Sequence, residues 1–586
     1  MRQWMVAAKK ADFYAIAEKF HVDPVVARII RNREVIGEKN IRIYLGGNLS
    51  DLSDPHQMKD MDRLVEILAQ KIRKQVHIRI IGDYDVDGVT SSHLFLTALR
   101  RVGAKVDVII PHRIQDGYGL SLHLLQQAKE DGVDTILTCD NGIAAIDEIA
   151  WAKAQKMTVL VTDHHAVPFE EHEGRRTEKK SLADAVVNPH QQDCGYPYKE
   201  LCGAGVAWNV IRVLYENYDM DKREAEDLLD FVAMATVCDV MSLTGENRIL
   251  VKEGLKRIRH TKNIGLQALM QACNVQPENI SAYHFGYVLG PCVNATGRLD
   301  TARHALRLFE TGQETEAEEI ARDLVDLNQE RKELTLQGVE MAKKLCEEGG
   351  YEKDPVLVLF LPDVHESIAG LIAGRIREMY NRPVFVLTRG EEGVKGSGRS
   401  TENYSMYENM CGCAELFTKF GGHPMAAGLS LPEENVEKFR RKINENCPLT
   451  VEEVCPDIHI DMAMPVGYAS TELVHQFALL EPFGKDNPSP LFADRNLSIS
   501  RMWLIGKNRN VLRMSVLSEY GQPVPVIFFG DVETLFAYFT EKFGQKEVEN
   551  ALHGRKNRIL FSMVYTAKID FYQGNENLQL EMKYYR

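Results

Sequence analysis

Between about residues 75 and 190, short apolar runs alternate with amphipathic stretches, and this alternation limits the fold more than any other feature of the chain. The runs are VHIRII (76–81), KVDVIIP (105–111), DTILTCD (134–140), MTVLVTD (157–163) and ADAVVNP (183–189). Apolar on consecutive positions, they read as strands covered on both faces. The stretches between them, such as VTSSHLFLTALRRVGA (89–104), are long enough for helices. Strand–helix–strand units of this kind predict a parallel sheet. The same character returns over 355–430, in PVLVLFLP, ESIAGLIAGRIREMY and PVFVLTRG. Residues 200–310 read as mainly helical. The polar pattern from Thr315 to Glu348 reads as one long helix between two domains, with two helices and a break as the alternative. After about 455 come alternating strands, SISRMWLIG, NVLRMSVLS, PVPVIFFG and RILFSMVYTAKIDFY, which suggest a small β-barrel.

A net charge of −14 argues against an indiscriminate binder of polyanions. Basic residues gather only in the final strand-rich stretch. An acidic body still accepts an anionic substrate if its carboxylates hold metal ions. No run of about 18 apolar residues marks a membrane span. The opening MRQWMVAAKKADFY has no apolar core of the kind a cleaved leader needs. The 11 cysteines are scattered and no CxxC pair occurs, so neither a disulfide framework nor a zinc ribbon is expected. Reduced thiols in a cytoplasmic protein are the expectation.

Chemistry concentrates where strands end. In IGDYDVDG, Asp83, Asp85 and Asp87 fall within five residues, between a strand and a helix. Carboxylates this close repel one another, and cations offset the cost; a turn rich in Asp and Gly would read the same way. Asp140 in CDNG follows the strand TILTC, and Asp163-His164-His165 follow TVLVT. Ligands of open α/β sheets bind outside the carboxyl ends of strands, so three strand ends are expected to converge. Asp239 closes the apolar run FVAMATVCDV and needs a partner there, whether a cation, a helix cap or an ion pair. Oxygen ligands with imidazole suit Mn²⁺ or Mg²⁺, and two such ions clamp a phosphoryl group for hydrolysis.

The ordered set DYDVDG, DNG, DHH and CDV resembles the DHH phosphoesterase superfamily. GPCVNATGRLD (290–300), HESIAGLIAGRI (365–376), KGSGRS (395–400), GGHPMAAGLSL (421–431) and EPFGKDNPSPLF (481–492) narrow the resemblance to its RecJ-type branch of single-strand-specific DNA exonucleases. It runs from about 45 to 580. Residues 1 to about 45 read as short helices feeding the first domain, and the resemblance implies a DHH catalytic domain (46–312) after them. A connecting helix (313–349), a smaller α/β DHH-associated subdomain (350–448) and a C-terminal OB-fold barrel (449–586) would follow. It implies Asp85, Asp87, Asp140, His164 and Asp239 as ligands of two Mn²⁺ or Mg²⁺ ions, with Asp83 in or beside the set. Asp140, central among the strand ends, would bridge the ions. Asp163 would orient its neighbouring histidine, and His165 would contact the scissile phosphate.

Arg113, Arg298, Ser397, Arg399 and His423 are candidate phosphate contacts, since a guanidinium fork matches phosphate oxygens; surface ion pairs are the plainer alternative for the arginines. In the barrel, Trp503, Lys507, Arg509 and Arg513, with Tyr520, Arg555, Lys556 and Arg558 nearby, offer the mixture of cations and aromatics that a single strand needs. The resemblance also implies 5′-to-3′ release of 5′-mononucleotides from single-stranded DNA in repair and recombination. A single-strand-binding protein and a RecQ-type helicase are the partners it implies, and a monomer is the default expectation. A phosphodiesterase for short oligonucleotides or cyclic dinucleotides, and a non-catalytic replication scaffold, are the alternatives. Two positions depart from the family: Ser367 follows His365-Glu366, and the family's Gly-x-Gly-Asn-Pro reads Gly484-Lys485-Asp486-Asn487-Pro488.

Overall fold

A computed structural model describes the chain except residues 1–2, 114–115, 117–118, 173–174, 352, 391–392, 507–508 and 573. Two units result. One holds 52–242 and 246–456; the other holds 3–51, 243–245 and 457–586.

The first unit is built on five parallel strands: β1 (His77–Ile81), β2 (Lys105–Ile109), β3 (Thr135–Cys139), β4 (Thr158–Thr162) and β5 (Ala185–Val187). They lie in the order β2-β1-β3-β4-β5. Covered on both faces, β1, β3 and β4 are buried along almost their whole length, while the edge strand β2 is half-exposed. The chain leaves β1 for β2 on one side and returns to β3 on the other. The carboxyl ends of β1 and β3 therefore flank the switch point of the sheet, where such folds open a crevice.

Helices of this unit that matter below are α1 (Val86–Arg101), α2 (Gly203–Asn217), α3 (Leu229–Cys238), α4 (Gly290–Leu299), α5 (Glu314–Glu348) and α6 (Glu366–Tyr380). Nearly every residue of α1 is buried, because α2 and α3 cover the faces that the sheet leaves open. The long polar pattern is one unbroken helix, α5, of 35 residues. Its last turns carry Val339 and Ala342 into a core with Ile368, Ile372 and Val386 of the DHH-associated subdomain. That subdomain is a second sheet of β6 (Leu357–Phe360), β7 (Val384–Arg389), β8 (Val394–Arg399), β9 (Lys419–Gly422) and β10 (Ala426–Leu431), in the order β9-β10-β8-β7-β6. Only β6 and β7 run parallel.

In the second unit, β11 (Phe492–Ile505), β12 (Val511–Leu517), β13 (Pro523–Phe528), β14 (Leu560–Tyr572) and β15 (Asn575–Tyr585) form a sheet that closes on itself through pairing of β11 with β14. The expected barrel is present, but residues 3–51 do not feed the first domain as the sequence suggests. The helix Pro24–Asn32 presents Val25, Val26, Ile29 and Ile30 to the barrel core, beside Phe477, Leu480 and Phe492. Arg33 forms a two-pronged ion pair with Asp461 at 2.9 and 3.2 Å. Trp4–Val6 pairs as a strand with Ile458–Ile460. An apolar helix face shows that burial is needed but not which surface supplies it.

The departure at Asp486 also has a physical basis. Its backbone is left-handed, at φ 59°, the conformation that glycine adopts without cost and aspartate tolerates. The next residue, Asn487, is fully buried. It donates to the carbonyls of Leu480 and Pro482 and accepts from the hydroxyl of Tyr44.

Candidate metal centre

Backbone geometry brings the acidic motifs together. Asp85 caps α1, its carboxylate accepting the Gly88 N–H at 3.0 Å. A Cβ on Gly88 would sit 2.5 Å from the backbone N and O of Asp83, so only glycine lets the motif fold back this tightly. Asp87, on the first turn, accepts the Gly203 and Ala204 N–H groups at 2.6 and 2.7 Å, at the amino end of α2. Gly203 in turn leaves room for Asp140, whose Cβ would be 2.6 Å from an added methyl. Asp140 follows β3 in the left-handed region, at φ 60°. Asp239 ends α3, and Val240 after it also has a positive φ of 54°, a strained state for a β-branched residue.

Among the described residues, three groups of ligand atoms, each within 4.8 Å of one another, result: Asp83-Asp85-Asp140, Asp140-His164-His165 and Asp87-His164-Asp239. Asp140 and His164 each belong to two groups and so join all three. Nε2 of His164 lies 3.1 Å from Asp140, 3.6 Å from Asp239 and 3.7 Å from Asp87. Buried and surrounded by carboxylates, that nitrogen has no hydrogen-bond partner, and neither has Oδ1 of the buried Asp83. Burial, followed by the charge of Asp85, holds the Asp83 carboxyl well above the carboxylate range. Burial, then Asp87 and Asp85, does the same at Asp140. Orphaned donor atoms among crowded carboxylates fit divalent cations, which would satisfy these atoms and offset the repulsion.

Asp163 is arranged differently. It accepts the N–H groups of His164, His165 and Ile143 at 2.7, 3.1 and 2.8 Å. Burial works to raise its carboxyl, but the hydrogen bond and charge of His165 prevail and leave it below the usual range. The ring it holds is that of His165, Nδ1 to Oδ1 at 2.8 Å, two residues on rather than next door; His164 donates only its backbone N–H to Asp163. On His165, burial opposes charge, yet Asp163 and the nearby carboxylates bring its pKa to about 9.

Beside the carboxylates lies a cavity of about 250 Å³, lined by Tyr84 and Arg113 and, from the second sheet's domain, by Glu366, Ser367, Thr388, Lys395 and Ser397, with Lys395 paired to Glu366 at 2.8 Å. The Arg113 guanidinium stands over the Tyr84 ring, 5.0 Å from its centre. Arg298 is half-buried; burial and the charges of Arg113, Arg331 and Arg399 depress its pKa to about 10. Arg399, also half-buried, is lowered for the same reasons, burial first and Arg113 next. Cations crowded together against their own repulsion make a site for an anion. His423 stands apart, exposed on the turn between β9 and β10. Sequence reasoning missed Lys395 and Tyr84, although both lie inside quoted motifs.

On the barrel, Trp503 and Arg513 are cross-strand neighbours on β11 and β12. Arg501, which sequence reasoning also missed, stands over the Trp503 ring at 5.7 Å; the two share a face because strand side chains alternate. Arg509 is exposed, and Lys507 lies outside the described residues.

A parallel sheet with this carboxylate and imidazole rim, joined to a second α/β domain, defines a phosphoesterase of the DHH type. The DHH family, N-terminal domain, matches residues 77–236; the DHHA1 domain matches 353–447, and the RecJ OB domain matches 460–584. The chain is 32% identical to the single-stranded-DNA-specific exonuclease RecJ of Haemophilus influenzae, over 96% of each chain. It is 33% identical to the protein of that name from Bacillus subtilis, over 87% of this chain and 63% of that longer relative. Among solved structures, RecJ of Thermus thermophilus in complex with Mn²⁺ shares the fold, with a TM-score of 0.79 at 24% identity, covering 100% of this chain and 79% of that one. The chain belongs to the RecJ family.

Proposed function

We propose that this chain is a metal-dependent exonuclease that degrades single-stranded DNA from its 5′ end and releases 5′-mononucleotides. The observation that carries this reading is a cluster of half-buried arginines beside a rim of carboxylates and imidazoles within one unit. A pocket for a terminal phosphate next to a hydrolytic centre measures cleavage from a chain end. Asp85, Asp87, Asp140, His164 and Asp239, with Asp83, would hold two Mn²⁺ or Mg²⁺ ions. Such ions, when bound, polarise a phosphate and lower the pKa of a bound water.

The chain's own groups account for the remaining steps. Asp163 fixes the ring of His165 and stabilises its protonated form. His165 then contacts the scissile phosphate and delivers a proton to the departing oxygen. Arg113, Arg298, Arg399 and Ser397 bind the terminal phosphate. His423, exposed on the turn between β9 and β10 and apart from the cavity, meets the DNA strand further from its end. Trp503, Arg509 and Arg513, with Arg501, guide the incoming strand. We assign 46–312 to catalysis, 313–349 to the connecting helix, 350–448 to phosphate capture and 449–586 to strand binding. No helix among the described residues is long and apolar enough to cross a membrane. We place the enzyme in the cytoplasm as a monomer, supplied with strands by a RecQ-type helicase and a single-strand-binding protein.

End-labelled single- and double-stranded DNA and RNA, digested over time with Mn²⁺ or Mg²⁺, test the proposal. Single-stranded DNA should yield mononucleotides at once from its 5′ end, and Asp140→Ala should be inactive. Preference for a dinucleotide over a long strand, or turnover by Asp140→Ala, would overturn it.

A further inference from the structure

The loop that carries Asp83, Asp85 and Asp87 is held from outside as well as from within. Tyr84 and Val86, the residues between the three aspartates, both meet α4. The Val86 N–H donates to Oδ1 of Asn294 at 3.2 Å, across 208 residues of sequence. Val86 opens α1, so its N–H has no partner within its own helix and needs one from elsewhere. One turn further along α4, an added Cβ on Gly297 would stand 2.5 Å from the Tyr84 carbonyl oxygen, so the bare backbone of glycine lets the helix sit directly against the loop.

Asn294, Gly297 and Arg298 are spaced i, i+3 and i+4 and therefore share one face of α4. The other side of the helix is braced. Asn328 of α5, only 3% exposed, donates its amide to the Cys292 sulfur at 3.3 Å and accepts from the Arg331 guanidinium at 2.8 and 3.0 Å. α4 is thus a fixed ledge for the loop to lean on. The Val86 N–H belongs to the peptide that joins Asp85 to Val86, so the bond to Asn294 fixes the plane from which the Asp85 side chain departs. Asp87 follows one residue later. Carboxylates that repel one another would spread apart on a free loop, and pinning the peptide between them opposes that.

We propose that Asn294 is a positioning residue for the metal centre: its amide oxygen fixes the Asp85–Val86 peptide against α4 and keeps Asp85 and Asp87 at metal-binding spacing before an ion arrives. The proposal rests on the metal-centre reading above and adds to it a residue outside the ligand set. Partners that orient metal ligands in this way set affinity without touching the ion.

Calorimetric titration of the metal-stripped full chain with Mn²⁺, in the absence of DNA, tests this. Asn294→Ala should bind Mn²⁺ about 10–100-fold more weakly, the range for losing a group that orients a ligand. Asn294→Asp keeps an acceptor oxygen at the same reach and should bind at least as tightly as wild type. Asn294→Gln carries its amide one methylene too far and should fall between the two; the ranking of Asp over Gln decides the matter if Asn294→Ala does not fold. Arg298→Ala, on the same helix face, should not weaken Mn²⁺ binding. Turnover of single-stranded DNA by Asn294→Ala should recover as Mn²⁺ is raised, with KM for the strand unchanged. Equal Mn²⁺ affinity in wild type and Asn294→Ala, an equal loss in Asn294→Asp and Asn294→Ala, or a turnover defect that no Mn²⁺ concentration restores would each overturn the proposal. A wild-type chain that takes up no Mn²⁺ would overturn the metal-centre reading itself, which keeps the two failures apart.

Discussion

The Arg298 guanidinium donates to the Ser367 carbonyl at 2.6 Å, across 69 residues of sequence. One residue ends α4 and the other lies on the first turn of α6, so this bond ties the catalytic sheet's domain to the domain of the second sheet. Arg298→Ala should lower kcat/KM on a 5′-phosphorylated strand by about 10–100-fold, the range for losing a charged hydrogen bond sheltered from water. A 5′-hydroxyl strand should lose less. Steady-state kinetics on both ends check this; equal losses would assign Arg298 to the interdomain bond alone.

Crowded carboxylates make metal binding a stability measurement. Adding Mn²⁺ to the EDTA-treated chain should raise the melting temperature. At a hundredfold excess over Kd the gain is about 2.7 kcal/mol. Asp140→Ala should melt no lower than the wild type in EDTA, because one repelling charge is gone, and should respond weakly to Mn²⁺. Differential scanning calorimetry with and without metal separates these outcomes.

Asp163 spreads its two oxygens over three N–H groups and an imidazole, and an amide oxygen cannot accept them all. Asp163→Asn should lose about 1–3 kcal/mol in urea titrations. Turnover should fall about 10–100-fold as the His165 ring loses its anchor. Normal stability together with normal turnover would contradict the role given to Asp163.

Burial, and secondarily Arg100, lowers the pKa of His93 to about 3. Its unfolded value is about 6.5. Below 6.5 the unfolded chain therefore takes up a proton that the folded chain refuses, and stability falls as pH drops toward 3. The slope attributable to this group is about 1.4 kcal/mol per pH unit. Urea titrations from pH 7 to 5 should show a shallower decline for His93→Gln than for wild type; parallel declines would refute the assignment.

At Asp486 the family's glycine should be the better residue. Asp486→Gly relieves a left-handed backbone and should stabilise the chain by up to about 1 kcal/mol, read by thermal melting.

Strands and the residues at their ends were legible because each motif is local: an apolar run, then a carboxylate where the sheet opens. The sheet sets Asp85, Asp87, Asp140 and His164 at neighbouring strand ends, a meeting that the rule of converging strand ends anticipates, while Asp239 reaches them from the end of α3, which that rule does not cover. Pairings across elements were not legible. Which histidine ring Asp163 holds depends on a turn, not on adjacency. Arg501 is marked only by the register that sets Trp503 beside Arg513. The helix Pro24–Asn32 displays its apolar face in the sequence, yet the surface that covers it lies more than 400 residues away.

That last distance has a consequence for biosynthesis. On the ribosome, residues 3–51 are made more than 400 residues before the strands they pack against. Val25, Val26, Ile29 and Ile30 must therefore wait, sticky and uncovered, through the translation of everything between, which makes this stretch a natural client for chaperones during synthesis.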